Sequence, residues 1–170
     1  MATPVMNSYQ VDRRAFPLTL YRVDYPGAQA TYSRQSGFQA AGNFTPCYAQ
    51  GLRNSVGYHL DWRSRMKSPF ISAFSNREHA HNWARVWREN NGYKHCLIMV
   101  ISIKADHGVV VFRVADLVDR LGISTSLEPS QYESEYLCFR RIPPEAILRM
   151  EAVSYPGMEP KITSIRIRCF

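Results

Sequence analysis

Two glutamates separated by a single residue, Glu133 and Glu135, precede an apolar segment that is typical of a β-strand. Alternate residues of an extended backbone point to the same side, so the two carboxylates should share one face. Their mutual repulsion would raise the pKa of at least one of them. Such a pair suits chemistry at a sugar carbon, where one carboxylate stabilises an oxocarbenium-like cation and the other takes the nucleophile's proton. The alternative, and the commoner origin of this spacing, is a solvated strand end.

The composition of the chain is that of a folded, positively charged domain. Of its 170 residues 45% are hydrophobic and 12% aromatic, which suits one domain with a core and argues against disorder. The net charge of +7 favours encounter with nucleic acid, an acidic protein or a phosphate-bearing small molecule. Because the positive charges are scattered, a nucleic-acid-binding module is not the first choice.

Targeting and metal-binding signals are weak in this sequence. The longest apolar run, at 96–103, has the length of a strand and not of a membrane span. Residues 1–16 lack the apolar stretch of a signal peptide, so we expect either a cytoplasmic protein or a delivered or secreted effector. The four cysteines form no C-x-x-C pair, so we expect no zinc site.

The hydrophobic pattern predicts six to eight short strands and one clear helix, an α+β fold of packed sheets. Residues 1–16 are expected to be a loose lead-in to a single domain over 17–170. Strands are predicted at 18–23, 68–74, 96–103, 109–114, 135–140, 147–153 and 161–168. The clear helix follows the second strand, where Ser75 and Glu78 have the spacing of a capping box. A short helix is expected over 116–121, and short helical turns and loops over 28–66.

Several polar residues and glycines in these elements have two interpretations each. Arg22 on the first strand is either salt-bridged or solvated, or else a guanidinium aimed at phosphate or carboxylate. His59 is more commonly a hydrogen-bonded structural residue than a catalyst. Gly37 and Gly42 let the backbone approach either a neighbouring element or a flat ligand.

An arginine on the first strand, a serine (Ser72) on the second and a later E-x-E occur in an order that resembles the arginine–serine–glutamate class of mono-ADP-ribosyltransferases. This class includes the catalytic subunits of pertussis toxin and of the cholera and heat-labile enterotoxins. Residues 20–24 resemble the Y-R-x-D opening of that class, and Gly37-Phe38 resembles the G-F that follows it. Phe70-Ile71-Ser72 is similar to the start of the S-T-S strand, which continues here as Ala73-Phe74. Residues 132–137 and 140–145 are nearly the run of the pertussis subunit.

The resemblance implies a split β-sandwich of ADP-ribosyltransferase type and a role for each motif residue. Arg22 would grip the phosphates of NAD, and Ser72 would support the nicotinamide half of the site and orient Glu135. Glu135 would bond the nicotinamide ribose and stabilise the oxocarbenium ion as nicotinamide leaves. Glu133 would position and deprotonate the acceptor. His59-Leu60 with Arg63-Ser64 is similar to the H-L-x-x-R-S of the pertussis subunit, whose histidine assists catalysis.

The same resemblance implies which residues contact NAD and which acceptor receives ADP-ribose. The NAD-binding residues would be Tyr21, Arg22, Asp24, Phe38, Ser72 and Glu135. The pertussis subunit has a tryptophan where this chain has Ala41, so ring stacking would come from Phe38 or Tyr25. A glutamate at position 133 is similar to the members that modify arginine, since a protonated guanidinium needs a base near it to become a nucleophile.

The sequence therefore predicts an effector- or toxin-like enzyme that transfers ADP-ribose from NAD to an arginine of a target protein, with NAD glycohydrolase side activity and without a metal. A delivery or binding subunit encoded elsewhere would be a further partner. Two alternatives stay open: the same fold acting on nucleic acid, and a non-catalytic module on this fold that binds NAD or a partner.

Overall fold

The computed structural model describes residues 3–61, 63–92 and 95–153, and within these ranges the chain forms an α+β fold, as predicted. The strand predicted at 161–168 lies outside the described residues. The strands are β1 (Leu18–Asp24), β2 (Thr31–Ser33), β3 (Gly37–Gln39), β4 (Phe70–Phe74), β5 (Leu97–Ile103), β6 (Val111–Arg113), β7 (Glu135–Phe139), β8 (Arg141–Ile142) and β9 (Ile147–Ala152). The α-helices are α1 (Pro4–Tyr9), α2 (Ala49–Leu60), α3 (Arg77–Asn90), α4 (Val114–Leu121) and α5 (Pro129–Tyr132).

Two antiparallel sheets pack against each other. The larger has the strand order β6-β7-β4-β1-β5-β9, and the smaller has the order β2-β3-β8. Leu20 and Met99 of the large sheet share one apolar cluster with Phe38 and Ile142 of the small sheet, and all four are fully buried. Each such side chain contributes roughly 1.5–3 kcal/mol on burial, so this cluster is a main source of stability for the sandwich.

The large sheet is split between β1 and β4. β1 pairs with β5 along its whole length but with β4 at the single pair Tyr21–Phe74. β4 in turn pairs with β7 over its whole length, from Phe70–Phe139 to Phe74–Glu135. Because 22–24 of β1 and 70–73 of β4 do not pair with each other, a gap opens in the middle of the sheet.

The helices cover the other face of the large sheet in two clusters. Residues of α1, α2 and α4 pack on β4, β6 and β7, with Leu52, Leu117 and Leu137 fully buried among them. Ala80 and Ala84 of α3 pack against β1 and β5. None of the helices in the described part of the chain combines the length and hydrophobicity that a bilayer crossing requires.

The N-terminal segment is not the loose lead-in that was predicted for residues 1–16. Met6 of α1 is fully buried, and the Thr3 hydroxyl donates a hydrogen bond to the carbonyl of Pro46 at 2.6 Å. Arg120 of α4 also donates to the carbonyl of Ser8 at 2.9 Å. These contacts bind the N-terminal segment to the domain, and they involve partners distant in sequence.

Helix α2 occupies residues 49–60 of the segment 28–66, for which only short helical turns and loops were predicted. Its buried side includes Leu52, Val56 and Leu60, which have the four-residue spacing of a helix face. Gly51 and Gly57 lower the helix propensity of the segment, and the N-cap residue Tyr48 makes no side-chain capping bond. Packing on the sheet therefore stabilises a helix that local signals do not predict.

The start of α3 also differs from prediction. The cap is Asn76, whose side chain accepts a hydrogen bond from the His79 amide at 3.2 Å, and not the predicted box of Ser75 and Glu78. Ser75 instead donates from its amide to the carbonyl of Ser134 at 2.8 Å. The serine thus joins α3 to the segment that carries the two glutamates.

Gly37 and Gly42 allow close approach of a neighbouring element, which was one of the two alternatives. A Cβ on Gly37 would lie 2.1 Å from the carbonyl oxygen of Ile142, and Gly37 also has a φ of +69°. A Cβ on Gly42 would lie 2.3 Å from the carbonyl oxygen of Lys67. Both glycines therefore bring two backbones together beside the sheets.

Replacement of Gly37 by alanine should lower the free energy of unfolding by about 2 to 6 kcal/mol, because backbone strain and a clash with β8 add together. Urea denaturation measures this loss. The matched control is Gly108→Ala, where φ is +63° but no atom lies within 4 Å of the new methyl group. The control should lose only about 1–2 kcal/mol. Equal losses in the two variants would contradict the role assigned to the contact with β8.

Candidate active site

Arg22 lies at the gap between β1 and β4, with its side chain buried. Its Nη1 donates a hydrogen bond to the carbonyl oxygen of Ser72 at 2.8 Å, and its guanidinium carbon lies 4.9 Å from the centre of the Phe38 ring. Its Nε is buried and has no hydrogen-bond partner among the described residues. Burial lowers the pKa of Arg22, and the charge of Asp24 opposes this effect. An arginine stays protonated at neutral pH, so the gap holds a cation with an unused donor.

Glu135 begins β7 and is almost fully buried. Burial raises the pKa of its carboxyl to about 7, and a hydrogen bond from Ser72 opposes the rise. The predicted repulsion by Glu133 is not among the causes of this shift. Desolvation, and not a second acid, therefore raises the proton affinity of Glu135.

A chain of hydrogen bonds connects Glu135 to α2. The Nε2 of His59 lies 2.6 Å from the Ser72 hydroxyl and 3.9 Å from a carboxylate oxygen of Glu135. On the other side of the ring, Nδ1 lies 2.5 Å from the Ser68 hydroxyl. Burial, followed by the nearby charge of Arg22, lowers the pKa of His59 to about 4, so the imidazole is neutral at pH 7.

One tautomer satisfies every donor in this chain. When Ser72 donates to an ionised Glu135, the Ser72 oxygen must accept from His59 Nε2–H. The other ring nitrogen, Nδ1, then accepts from the Ser68 hydroxyl. All the hydrogens of the chain point toward the carboxylate of Glu135, and this arrangement favours its charged form.

Local structure fixes His59 and Ser68, the two members of the chain farthest from Glu135. His59 lies in the last turn of α2, and its ring makes an edge-to-face contact with Phe70 at 5.9 Å between centroids. The Ser68 hydroxyl also accepts a hydrogen bond from the Phe70 amide at 3.1 Å. Ser68 was not among the predicted site residues, and the only sequence signal for it is its place just before the strand of Ser72.

Glu133 does not share a strand face with Glu135, so the prediction from the E-x-E spacing is wrong on this point. The residue follows α5 with helical backbone angles, φ −58° and ψ −31°, and its side chain is exposed. A strand begins only at Glu135. The two acids therefore differ in environment, one solvated and the other buried.

The residue between the two acids, Ser134, is held by the turn before α3. Its carbonyl accepts hydrogen bonds from the amide and the hydroxyl of Ser75, at 2.8 and 3.3 Å. Its hydroxyl lies 2.8 Å from Nδ1 of His79, whose ring is stacked on Phe74. Burial lowers the pKa of His79, and the charge of Glu133 opposes this effect. Neither His79 nor Ser134 is predicted from the sequence as a site residue, because nothing in their spacing indicates this contact.

The remaining predicted NAD-binding residues surround Arg22. Tyr21 and Asp24 are half-buried on β1, and burial raises the pKa of Asp24. Phe38 is fully buried beneath Arg22 and against Tyr32, so its ring has no face open for stacking on a ligand. Tyr25 is half-buried. The centre of its ring lies 5.2 Å from that of Trp83 and 4.6 Å from that of Trp87, and both tryptophans belong to α3. The predicted stacking role of Phe38 does not fit its burial.

The structure thus brings four predicted residues together: Arg22, His59, Ser72 and Glu135. At one end of the cluster is the Arg22 guanidinium, whose Nε–H has no hydrogen-bond partner among the described residues. At the other end is the buried carboxyl of Glu135, which is hydrogen-bonded through Ser72 to the neutral imidazole of His59. Such a site can hold an anion and stabilise a positive charge that develops close by. Within the described residues, no group of three or more His, Cys, Asp or Glu side chains is arranged to hold a metal ion.

Comparison with known proteins finds distant relatives among toxin subunits. The chain is 27% identical over 166 residues to pertussis toxin subunit 1 of Bordetella pertussis and to its homolog in Bordetella bronchiseptica. The aligned region covers 87% of this chain but 58% of each relative, so the chain spans little more than half their length.

A solved structure, EcPltA, has the same fold. It superimposes with a TM-score of 0.57 at 16% sequence identity, over 84% of this chain and 79% of that chain. At the level of families, the sequence profile described as "Domain of unknown function (DUF7587)" matches residues 15–154, which include the whole candidate site. The chain therefore belongs to the DUF7587 family.

Proposed function

We propose that this chain is a mono-ADP-ribosyltransferase that cleaves the nicotinamide glycosidic bond of NAD and transfers ADP-ribose to an arginine side chain of a target protein. The observation that carries the proposal is the hydrogen-bonded convergence of Arg22, His59, Ser72 and Glu135 at the gap between β1 and β4. The motif resemblance supports the transferase chemistry, and the distant similarity to pertussis toxin subunit 1 supports a toxin-like role.

Arg22 is the residue that would bind the phosphates of the substrate. Its guanidinium is buried, and its Nε lacks a hydrogen-bond partner among the described residues, so it can donate to a phosphate oxygen. A buried cation interacts with an anion more strongly than an exposed one does, because water screens the pair less. The fixed bond from Nη1 to the Ser72 carbonyl holds the planar group in position.

Glu135 would stabilise the transition state of bond cleavage. Positive charge develops on the ribose as nicotinamide leaves, and an ionised carboxylate nearby is more favourable in that state than in the ground state. Ser72 orients Glu135, and His59 orients Ser72. Because Glu135 has a pKa of about 7, it is largely ionised only above neutral pH.

Glu133 would act on the acceptor. In the transfer step, the bond between ribose C1′ and the nicotinamide nitrogen breaks, and a bond from C1′ to an arginine nitrogen forms. The proton released by that nitrogen goes to Glu133, which is exposed and free to meet a protein surface. Hydrolysis of NAD by water would be the side reaction when no acceptor is bound.

The remaining parts of the proposal concern partners and delivery. The relatives are named as a subunit of a toxin, and this name supports a role as an effector that works with a delivery or binding subunit. The chain aligns with 58% of that subunit. Action either in the cytoplasm of its own cell or in that of a target cell agrees with the use of NAD.

The direct test is incubation with labelled NAD and a cell lysate, with Glu135→Ala beside the wild type. We expect the wild type to release nicotinamide and to label protein, and the variant to lose both activities by at least about a hundredfold, the scale of losing one transition-state contact. The modified residue is then mapped by mass spectrometry. Release of nicotinamide at the same rate by Glu135→Ala would contradict the proposal.

The same experiment separates the alternative functions. Label on RNA or DNA instead of protein would indicate the nucleic-acid transferase. No release of nicotinamide by the wild type, together with NAD binding, would indicate a non-catalytic module.

Replacement of Glu133 by glutamine should separate the two steps. Because Glu133 serves the acceptor and not the ribose, we expect NAD glycohydrolase activity to stay within about twofold of the wild type, while transfer to arginine falls by about a hundredfold or more, within the range for loss of a general base. Agmatine is a suitable small acceptor with a guanidinium group. An equal loss of both activities would refute this division of roles.

A further inference from the structure

Most of the exposed large hydrophobic side chains of the described residues surround one cavity. Six such side chains are exposed, and four of them line the same cavity of about 230 Å³. The four are Phe44, Tyr48, Tyr58 and Met66, with exposures of 50, 63, 53 and 60%. Isolated exposed apolar residues are ordinary, but a group around one concavity is typical of a surface that binds a partner.

The back wall of this cavity belongs to the candidate active site. His59 and Ser68 line it, and they are the first two members of the hydrogen-bond chain that ends at Glu135. A group bound in the cavity would therefore lie next to His59 and Ser68. The cavity is thus adjacent to the site, although Arg22, Ser72 and Glu135 do not line it.

The cavity is too small to hold the whole nucleotide substrate. Pockets that enclose drug-sized ligands have volumes of roughly 300–1,000 Å³, and NAD is larger than most of those ligands. A volume of about 230 Å³ instead suits a single large apolar side chain. The cavity therefore has the size for one anchor residue of a longer molecule that lies on the surrounding surface.

The charges around the cavity favour an acidic partner. Among the described residues that line the cavity, Lys67 is the only one with a charged side chain. His59 also lines the cavity, and its imidazole is neutral at pH 7. A neighbouring groove shares Asn54 and Tyr58 with the cavity, and its charged lining residues are Arg53, Arg63 and Asp61. Asp61 is paired with Arg63 at 3.3 Å, so the combined surface keeps a net positive charge.

We propose that this surface, formed by Phe44, Tyr48, Tyr58, Met66 and Lys67 and called here the α2 face, binds an acidic segment of a protein partner. One aromatic or aliphatic side chain of that segment enters the cavity, and its carboxylates lie against Lys67 and the arginines of the neighbouring groove. A protein is favoured over nucleic acid because the cavity is concave, is partly lined by Met66 and has the volume of one large apolar side chain, whereas single-stranded nucleic acid stacks successive bases along a groove.

The α2 face would hold the acceptor protein beside the catalytic residues. This role rests on the proposed function, whereas the binding itself does not require NAD or turnover. The two ideas therefore fail separately, because binding is measured without NAD and glycohydrolase activity is measured without an acceptor.

Fluorescence anisotropy with a short labelled peptide, one tryptophan flanked by glutamates, tests the binding. We expect Tyr48→Ser and Lys67→Glu each to weaken binding by at least about tenfold, as for central residues of an interface. The matched control is Leu148→Ser, an exposed apolar residue outside the cavity with 48% exposure, which should bind like the wild type. Replacing the peptide's glutamates by glutamine, or its tryptophan by alanine, should weaken binding to a similar degree. Thermal unfolding checks that the variants fold.

Catalytic assays add a second readout. Tyr48→Ser should keep the NAD glycohydrolase activity of the wild type and raise the KM for the acceptor protein with little change in its kcat. No peptide binding by the wild type at millimolar concentration would overturn the proposal. Equal binding by wild type, Tyr48→Ser and Lys67→Glu would overturn it as well. A single-stranded RNA that binds more tightly than the peptide, and loses affinity in the same variants, would show that the face binds nucleic acid instead.

Discussion

The burial of the Glu135 carboxyl is the physical constraint on which the site depends. A carboxylate without water is unfavourable unless hydrogen bonds and nearby positive charge offset the lost hydration. Ser72 supplies the hydrogen bond, and His59 in turn contacts the Ser72 hydroxyl. The balance leaves the carboxyl with a pKa of about 7, where a small change in its surroundings decides its charge.

The split of the large sheet makes this arrangement sterically feasible. If β1 and β4 paired along their whole length, Arg22 would have no space to reach the carbonyl of Ser72 from within the sheet. The single pair Tyr21–Phe74 holds the two strands together at one end and lets them separate beyond it. The pairing of β4 with β7 then places Glu135 opposite Phe74, on the same side of the sheet as Ser72.

Much of this fold could be predicted from the sequence, since β1, β4, β7 and α3 have clear periodicity and turn signals. The four clustered residues could be named in advance, because their types and order match a known motif set. The environment of Glu133 could not be predicted: the spacing rule holds only for an extended backbone, and α5 continues to the residue before it. Helix α2 and the contacts of Ser68 and His79 depend on packing between distant segments, which local patterns do not contain.

Titration of the Glu135 carboxyl by carbon-13 nuclear magnetic resonance tests the central claim most directly. Burial stabilises the neutral acid in the folded state, so the account predicts a pKa of about 7 and a carboxyl that loses its charge as the pH falls below neutral. Because the Ser72 hydrogen bond favours the charged form, Ser72→Ala should raise the pKa further. A Glu135 pKa close to the ordinary value of 4.5, unchanged in Ser72→Ala, would contradict the account.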